Sequence, residues 1–526
     1  MKQAQTVTSG VPITLQLERL LTQDWVLAFL LLIVGLASRI PFQSQILYHW
    51  DSVNFAFAIW EFNVVKEQPQ PPGYIVYVWL SRLLDSVIGD AQITLVTISI
   101  VASALAVVAL FFLGKAMFNR QTGLIAALFL ATSPLFWFYS EIALPHTVDT
   151  LLVIVAAWWL YETMRGKTSY LYPAVVILAV AGGVRQQTLV FLAPLLLFAL
   201  GRVGWKRFLT AGLVGTFICL AWFIPLMMLS GGISNYMRVM GEFTHRFQSS
   251  TSIFMGAGWW GIRRNLTKLI IYTLYGWSSA LLPVMVYLAV RTWQKAWPRN
   301  WEKLIFLSLW MLPALIFYAL IHMGQQGLVF VFLPALLLLG AAGLDRLLAA
   351  QTYRLAGTII LVAINVGVFH LMPEYPLGPG SQRLLTRDTL FNSDRYYQDR
   401  FNFIQENFEP ESTVIVAANW HHLDYYLPDY AKLPFNLGSK WELNEGAAIN
   451  EAKATLTATA AELGLEPGSD GSATVVIFDP ELMSFNQSPD LTQEVTLPGG
   501  ESLQYLKLKA DGRLQIKADS FGLEPK

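Results

Sequence analysis

Charge is what this 526-residue sequence has least of. Asp, Glu, Lys and Arg make up 14% of it, against roughly a quarter in an ordinary soluble domain, while 54% is hydrophobic and 13% aromatic. That balance excludes a water-soluble globule and indicates an integral membrane protein. The 36 basic residues equal the 36 acidic ones, so no excess of either sign points to nucleic acid or to a strongly anionic partner. Cysteine is nearly absent: Cys219 cannot form an intrachain disulfide, lies in an apolar run and reads as a packing residue, so no redox compartment follows from it. No internal repeat is evident. The N-terminal stretch MKQAQTVTSGVPITLQLERLLTQ is polar and the apolar segment after it lacks a small-residue cleavage site, so that segment reads as a retained helix.

What is present is a series of long apolar runs. A helix needs about 20 apolar residues to cross a bilayer, and on that rule about eleven spans are expected. They lie near residues 24–40, 93–117, 122–140, 143–164, 171–183, 187–201, 208–229, 266–290, 303–321, 327–344 and 354–372. The fifth and sixth are short and meet at GGVRQQ, so this turn is expected at membrane depth. Non-helical backbone is tolerable there only if buried in protein or lining a wet cavity.

The basic residues of the short loops set the orientation. With the N-terminus cytoplasmic, the inner loops hold Lys115 and Arg120, Arg165 and Lys167, Arg202, Lys206 and Arg207, then Arg291, Lys295, Arg299 and Lys303, then Arg346 and Arg354. The loops of the opposite set around Ser140–Pro145 and His322–Gln326 have no Lys or Arg. Against the rule stand Arg238, Arg246, Arg263 and Arg264 in the loop from Ser230 to Asn265. Three large pieces then fall outside the cytoplasm: the loop from Pro41 to Ala91, whose part after Gly73 suits an interfacial helix, the Ser230–Asn265 loop, and the tail. The expected domains are 1–372, transmembrane, and 373–526, a small α/β domain. In the tail STVIVAANW and SATVVIFDP read as buried strands, and EAKATLTATAAELGL as an amphipathic helix stopped before Pro467.

Within the first outer loop, LYHWDSVNFAFAIWEF sets one carboxylate, Asp51, between His49 and Trp50 and a long aromatic run. Its position before an apolar helix suits an N-cap. It equally suits a general base, if it reaches the proton it must remove. About twenty residues on, QPQPPGYIVYVWLSRL is a proline-stiffened turn feeding an amphipathic helix, and by itself no more than a rigid connector. An aspartate after the first span followed by PPGY resembles the first extracytoplasmic loop of the GT-C glycosyltransferases, specifically the protein O-mannosyltransferase and aminoarabinose-transferase group, glycosyltransferase family 39. SPLFWFYSEIALPHTVDTLLVIVAAWWLYE is similar to the paired third and fourth spans of that family. AVAGGVRQQTLVFLAPLLLF is similar to its Gly-rich basic turn, and HMGQQGLVFVFLPALLLLGAAGLDRL to its late loop and proline-containing span. The resemblance covers about the first 370 residues and lies in the order of short motifs. This chain has QPP at Gln70–Pro72 where members commonly have HPP.

The resemblance implies transfer of a sugar from a polyprenyl-phosphate carrier to a hydroxyl of a protein, lipid or glycan at the outer face, inverting at the anomeric carbon, with Asp51 matching the catalytic base. A phosphate leaving group needs no acid to protonate it, so one carboxylate suffices where a glycosidase uses two, but the charge gained by its oxygens needs a cation. Arg185 is the candidate: an arginine at membrane depth is paired or functional, and a guanidinium can grip phosphate bidentately. Pairing with Asp149 or Glu141 to hold spans together is an equal alternative. Arg263 and Arg264 could meet the same phosphate or be interfacial anchors. Glu141, His146 and Asp149 bracket one short outer loop, where they could orient the acceptor. Gln325 and Gln326 could donate to a phosphate or sugar, or simply form a polar turn.

No cofactor is required on this reading. Glu141 could assist a divalent metal, but His49, His146, His322 and scattered carboxylates include no close pair with ligand spacing. Adjacent His421 and His422 point apart on a strand or helix and are given no role beyond structure. The 18 Trp and 20 Tyr suit membrane interfaces, although Trp50 or Trp60 could stack on a sugar. The sequons at Asn265 and Asn486 carry little. Competing readings are a lipid or polar-solute transporter or flippase, which would favour inverted repeats, and a scaffold displaying the tail. A plain anchor does not require Asp51, Asp149 and Arg185. A bacterial plasma membrane is the expected setting.

Overall fold

The computed structural model describes residues 23–295, 301–376, 383–418, 420–435, 455–517 and 519–524. The chain divides into two compact units, one made of residues up to Gln43 with Ala58–Asp388, the other of Ser44–Phe57 with Thr389–Lys526. The tail unit therefore includes a segment from far upstream, and Asp51 lies in that segment.

All eleven apolar runs of the first unit are helical. Among the described residues seven helices are long and apolar enough to cross a membrane, Asp24–Phe42, Ala91–Met117, His146–Met164, Trp205–Leu229, Gly258–Trp293, Trp301–Leu320 and Gln351–Leu371. An eighth crossing is the pair Arg120–Thr132 and Pro134–Ser140, bent by 62°. The bend falls where Pro134, at the first helical position, can donate no backbone hydrogen bond to the preceding turn. The expected short pair is present as Leu171–Val184 and Gln186–Leu200. The tenth run opens as a 3₁₀ turn, Gln326–Val331, before the helix Leu333–Leu347. After Gly73 the chain forms the helix Ile75–Ile88, which buries Tyr77 and Val78 while Leu83 and Val87 stay exposed, as an interfacial helix would.

One boundary moves. The loop from Ser230 to Asn265 is largely helical, with Ile233–Gln248 and the start of Gly258–Trp277 inside it. Arg263 and Arg264 thus lie on the eighth helix, not ahead of it. Two of the four basic residues against the orientation rule find acidic partners: Arg238 pairs with Glu242 at 2.8 Å, and Arg246 pairs with Glu67 and covers the rings of Phe243 and Phe247.

Helices Ala91–Met117 and His146–Met164 are mostly buried, whereas Trp205–Leu229 turns Leu213, Phe217 and Met228 outward, the surface lipid requires. Small residues allow the closest approaches. A Cβ on Gly123 would lie 2.4 Å from the Phe111 carbonyl oxygen and 2.7 Å from the Lys115 nitrogen. Both are backbone atoms, so Gly123→Ala is expected to force the helices apart at a cost of about 1–3 kcal/mol, seen as a lower melting temperature in detergent.

The tail unit is α/β. Its five-stranded sheet has the order Ala431–Pro434, Thr413–Ala417, Ser472–Ile477, Ser502–Lys509, Thr492–Thr496; the first three strands are parallel and the last two antiparallel. The strands expected in STVIVAANW and SATVVIFDP form its centre and are buried throughout, because apolar clusters cover both faces. Val414, Val416, Val475 and Ile477 belong to one cluster; Ile415, Ala417 and Val476 belong to the other with Tyr397 and Phe401. The helix expected over EAKATLTATAAELGL is not formed in its described part. Thr455–Ala458 is a strand paired with Leu514–Lys517, and only a 3₁₀ turn, Ala461–Leu463, follows. β-branched Thr457 favours the strand, and cross-strand pairing prevails over the local helical pattern. Residues 451–454 lie outside the described residues.

Candidate active site

In the first unit the centre of interest is a one-residue break. Arg185 is extended (φ −151°, ψ 106°) between the helices Leu171–Val184 and Gln186–Leu200. It is buried, at 7% exposure, with Asp149 beside it at 3%. Its Nη1 lies 3.6 Å from Asp149 Oδ2, and its Nη2 donates to Gln187 Oε1 at 3.2 Å and to the Tyr318 hydroxyl at 3.3 Å. Thr188 Oγ1 donates to Asp149 Oδ1 at 2.7 Å. Of the two partners open to Arg185, the structure selects Asp149.

The PPGY turn packs against this break. The Pro72 carbonyl accepts from the Tyr236 hydroxyl at 3.1 Å and from Gln186 Nε2 at 3.4 Å. Gly73 has φ +101° and Tyr74 φ +41°, and the Tyr74 phenol is near enough to act electrostatically on Arg185. A left-handed backbone is an outlier for a bulky residue and costs on the order of 1–3 kcal/mol when the surroundings impose it. The sequence marks this turn as a rigid connector or a family motif but does not single out Tyr74, Tyr236 or Tyr318; the glycine before an aromatic is the available signal for the first.

The other predicted residues separate. Glu141 is fully buried and accepts from Trp137 Nε1 at 2.8 Å, in the field of Arg39. Arg39, which the sequence reading missed, is itself buried, donates to the Ala131 carbonyl and lies over the Trp137 ring. His146 packs edge-on against Tyr139 at 5.1 Å, and a Cβ on Gly327 would come within 2.5 Å of its ring. Gln326 Nε2 donates to the Arg383 carbonyl at 3.2 Å, and Gln325 leads into the 3₁₀ turn. Arg263 is exposed and Arg264 half-buried.

Arg264 gains companions that the sequence did not reveal. Lys268 lies one turn further along the same helix face, and the groups acting on the two electrostatically are each other and Tyr272. Arg264 Nη1 is enclosed without a hydrogen-bond partner among the described residues. His322 joins them: burial, then the charges of Arg264 and Lys268, push its pKa down to about 4, and its Nδ1 lies 3.1 Å from Thr251 Oγ1. Arg264 and Lys268 are the cations of this cluster and His322 a neutral ring beside them, a set suited to an anion.

Between the helices Leu171–Val184, Gln186–Leu200 and Trp205–Leu229 runs a groove of about 420 Å³, lined by Val175, Leu178, Leu196, Gly215, Cys219 and Phe223 among others. Its walls are almost wholly apolar, so it suits a hydrocarbon chain.

In the tail unit Asp51 occupies the first turn of the helix Trp50–Trp60. It is not the cap. The His49 carbonyl accepts from Ser52 and Val53, and the Asp51 amide donates to His49 Nδ1 at 3.1 Å. The Asp51 carboxylate lies 3.6 Å from the same ring nitrogen and is 15% exposed. A carboxylate in a first helical turn is favoured by the helix dipole. Trp50 meets His421 edge-on at 5.6 Å, and His421 stacks on Trp420. Among the described residues no three His, Cys, Asp or Glu side chains converge as metal ligands.

Residues 69–229 match the family described as dolichyl-phosphate-mannose-protein mannosyltransferase. ArnT from Cupriavidus metallidurans bound to undecaprenyl phosphate superposes with TM-score 0.56 at 11% identity, over 93% of this chain and 98% of that one. The same organism's ArnT in the apo state gives 0.53 at 12% identity, over 92% and 97%. The fold is that of the GT-C glycosyltransferases. The apo oligosaccharyltransferase of Archaeoglobus fulgidus, another GT-C structure, gives 0.50 at 12% identity, over 86% of this chain and 69% of that one. No curated protein matches in sequence. The matched family region includes PPGY, Asp149 and Arg185, but begins after Asp51.

Proposed function

We propose that this GT-C protein transfers a sugar from a polyprenyl-phosphate carrier to an acceptor hydroxyl, on the outer face of the membrane, with inversion. Asp51 takes the hydroxyl proton as the acceptor oxygen bonds to the anomeric carbon; the bond from that carbon to the phosphate oxygen breaks, and the carrier phosphate leaves with the electron pair. The observation that carries this reading is Arg185 held in a break between two apolar helices, beside a left-handed Tyr74. The apolar groove along those same helices suits the prenyl chain, and the bound undecaprenyl phosphate in the similar ArnT structure agrees with it. Arg264, Lys268 and His322 form a second anion-binding group on this reading, with Arg264 uncommitted to a carboxylate. Glu141 and His146 support packing, as do Gln325 and Gln326. No cofactor is needed.

The test is protein in lipid nanodiscs given a panel of undecaprenyl-phosphate-linked pentoses and hexoses with membrane extract as acceptor source. Release of undecaprenyl phosphate and an inverted anomeric centre in the product are expected. A product with retained configuration, or no release from any donor, would reject the proposal. Arg264→Ala or Lys268→Ala is expected to raise KM for the donor roughly tenfold, the scale of a charged hydrogen bond, and Arg263→Ala to leave it within about twofold. Equal effects of the three would remove the cluster from the donor site.

A further inference from the structure

Residues 44–47 are held by side chains of the tail, Asp394, Tyr426 and His422. Asp394, on the helix Arg387–Asn407, accepts from the Gln45 amide at 2.9 Å through Oδ2 and from the Ile46 amide at 3.0 Å through Oδ1. The Ser44 hydroxyl, 3.0 Å from Oδ1, is also within reach of the Ile46 carbonyl. At Leu47 the tail takes both backbone groups: the amide donates to the Tyr426 hydroxyl at 2.9 Å, and the carbonyl accepts from His422 Nε2 at 2.7 Å. The Ile46 side chain is buried in the same cluster as Tyr397, Phe401 and Leu423.

The His422 bond has a defined polarity. A carbonyl can only accept, so Nε2 carries the proton and Nδ1 holds a lone pair, consistent with a buried Nδ1 that has no hydrogen-bond partner among the described residues. Burial supports the neutral ring, pushing its pKa down to about 3, and Tyr397 stacks on it at 4.3 Å. The helix Trp420–Tyr426 makes further contacts on the same strip, His421 against Trp50 and Tyr425 against Phe57 at 5.7 Å. Segment 44–57 is thus fastened at its start, middle and end, and Asp51 lies four residues after the last doubly bonded backbone unit.

We propose that Asp394 and His422 are positioning residues for Asp51, and that the tail unit's task in catalysis is to fix the start of the Trp50–Trp60 helix so that the carboxylate meets the acceptor hydroxyl. This rests on the reading of Asp51 as the base. An aligned base matters because a misplacement of about 1 Å can cost on the order of 100-fold in rate. The carboxylate sits in the first turn of a short helix that follows directly on this fastened strap, residues 44–47.

The test uses the full chain in nanodiscs with the variants Asp394→Ala, Asp394→Asn, His422→Phe, His422→Gln and Asp51→Asn. Phenylalanine keeps the stack on Tyr397 and removes the donor; glutamine supplies an amide donor in its place. Hydrogen exchange at residues 44–53 is expected to rise in Asp394→Ala and His422→Phe, with their melting temperatures close to wild type. Their kcat for undecaprenyl phosphate release should fall roughly 10- to 100-fold with KM for the donor unchanged, Asp394→Asn should be intermediate, and His422→Gln should recover most of the loss. Unchanged exchange, or raised exchange with unchanged kcat, would overturn the proposal, as would a fall in KM-dependent binding alone. Full activity of Asp51→Asn would instead defeat the assignment of the base, and the exchange data would still report on the strap.

Discussion

Asp51→Asn is expected to lower sugar transfer by about 10²- to 10⁴-fold, the usual contribution of a general base, while the melting temperature changes little. The amide keeps the shape of the side chain and its place in the first turn of Trp50–Trp60. What it loses is a basic oxygen and a favourable charge at a helix N-terminus, the latter about 0.3–1 kcal/mol. The backbone bond from residue 51 to His49 Nδ1 does not involve the carboxylate, so the helix start should survive. The experiment is single-turnover transfer with saturating donor, alongside binding of undecaprenyl phosphate itself. Retained binding with lost transfer supports the base. Near-normal transfer would require another proton acceptor, and His49, 3.6 Å from the carboxylate, would be the first to replace.

Arg185→Ala is expected to destabilise the first unit by about 3–5 kcal/mol, because it strands Asp149 as a buried charge. Thr188 still donates to Asp149, but one hydroxyl does not neutralise a carboxylate. Asp149→Asn should cost a similar amount by stranding Arg185, whose other bonds to Gln187 and Tyr318 are to neutral groups. The combination Arg185→Met with Asp149→Asn removes both charges and is expected to recover most of the stability, since a matched apolar replacement of a buried pair is often neutral. Thermal unfolding in nanodiscs gives the stability. Carrier release separates the two roles of Arg185: if it also holds the donor phosphate, the double variant unfolds like wild type and still turns over poorly. Recovery of both would reduce Arg185 to a helix fastener.

Hydropathy located the helices, since all eleven apolar runs are helical and the break at Arg185 is visible in GGVRQQ, but it overcounted the spans: among the described residues seven helices, or eight with the bent pair, are long and apolar enough to cross a membrane. The strands Thr413–Ala417 and Ser472–Ile477 were legible for the same reason, as short apolar runs closed by turns. Thr455–Ala458 was not, since its partner Leu514–Lys517 is remote in sequence and pattern alone favoured a helix. The site residues divide in the same way. Asp149 and Arg185 stood out because charge in an apolar run is conspicuous. Glu141 stood out equally, yet it faces Trp137 and the field of Arg39, because which side of a turn a carboxylate faces depends on packing. Lys268, one turn from Arg264 on the same helix, and His322, on another element, went unnoticed as its companions. The strap was illegible altogether: Asp394 and His422 are unremarkable in sequence and gain meaning only from backbone groups more than three hundred residues away.

That separation has a consequence for biogenesis. Ser44 and Asp394 are 350 residues apart in the chain, and at roughly 5–20 residues per second of synthesis the early segment waits on the order of 20–70 s for its partner to emerge. Ile46 spends that interval without the cluster that will enclose it, and Trp50 and Phe57 without the rings of His421 and Tyr425, so all three are ready ligands for a chaperone or for premature contacts. Nascent chains arrested before residue 389 should therefore expose residues 44–57 to protease, and protection should appear only once the last strands have been made.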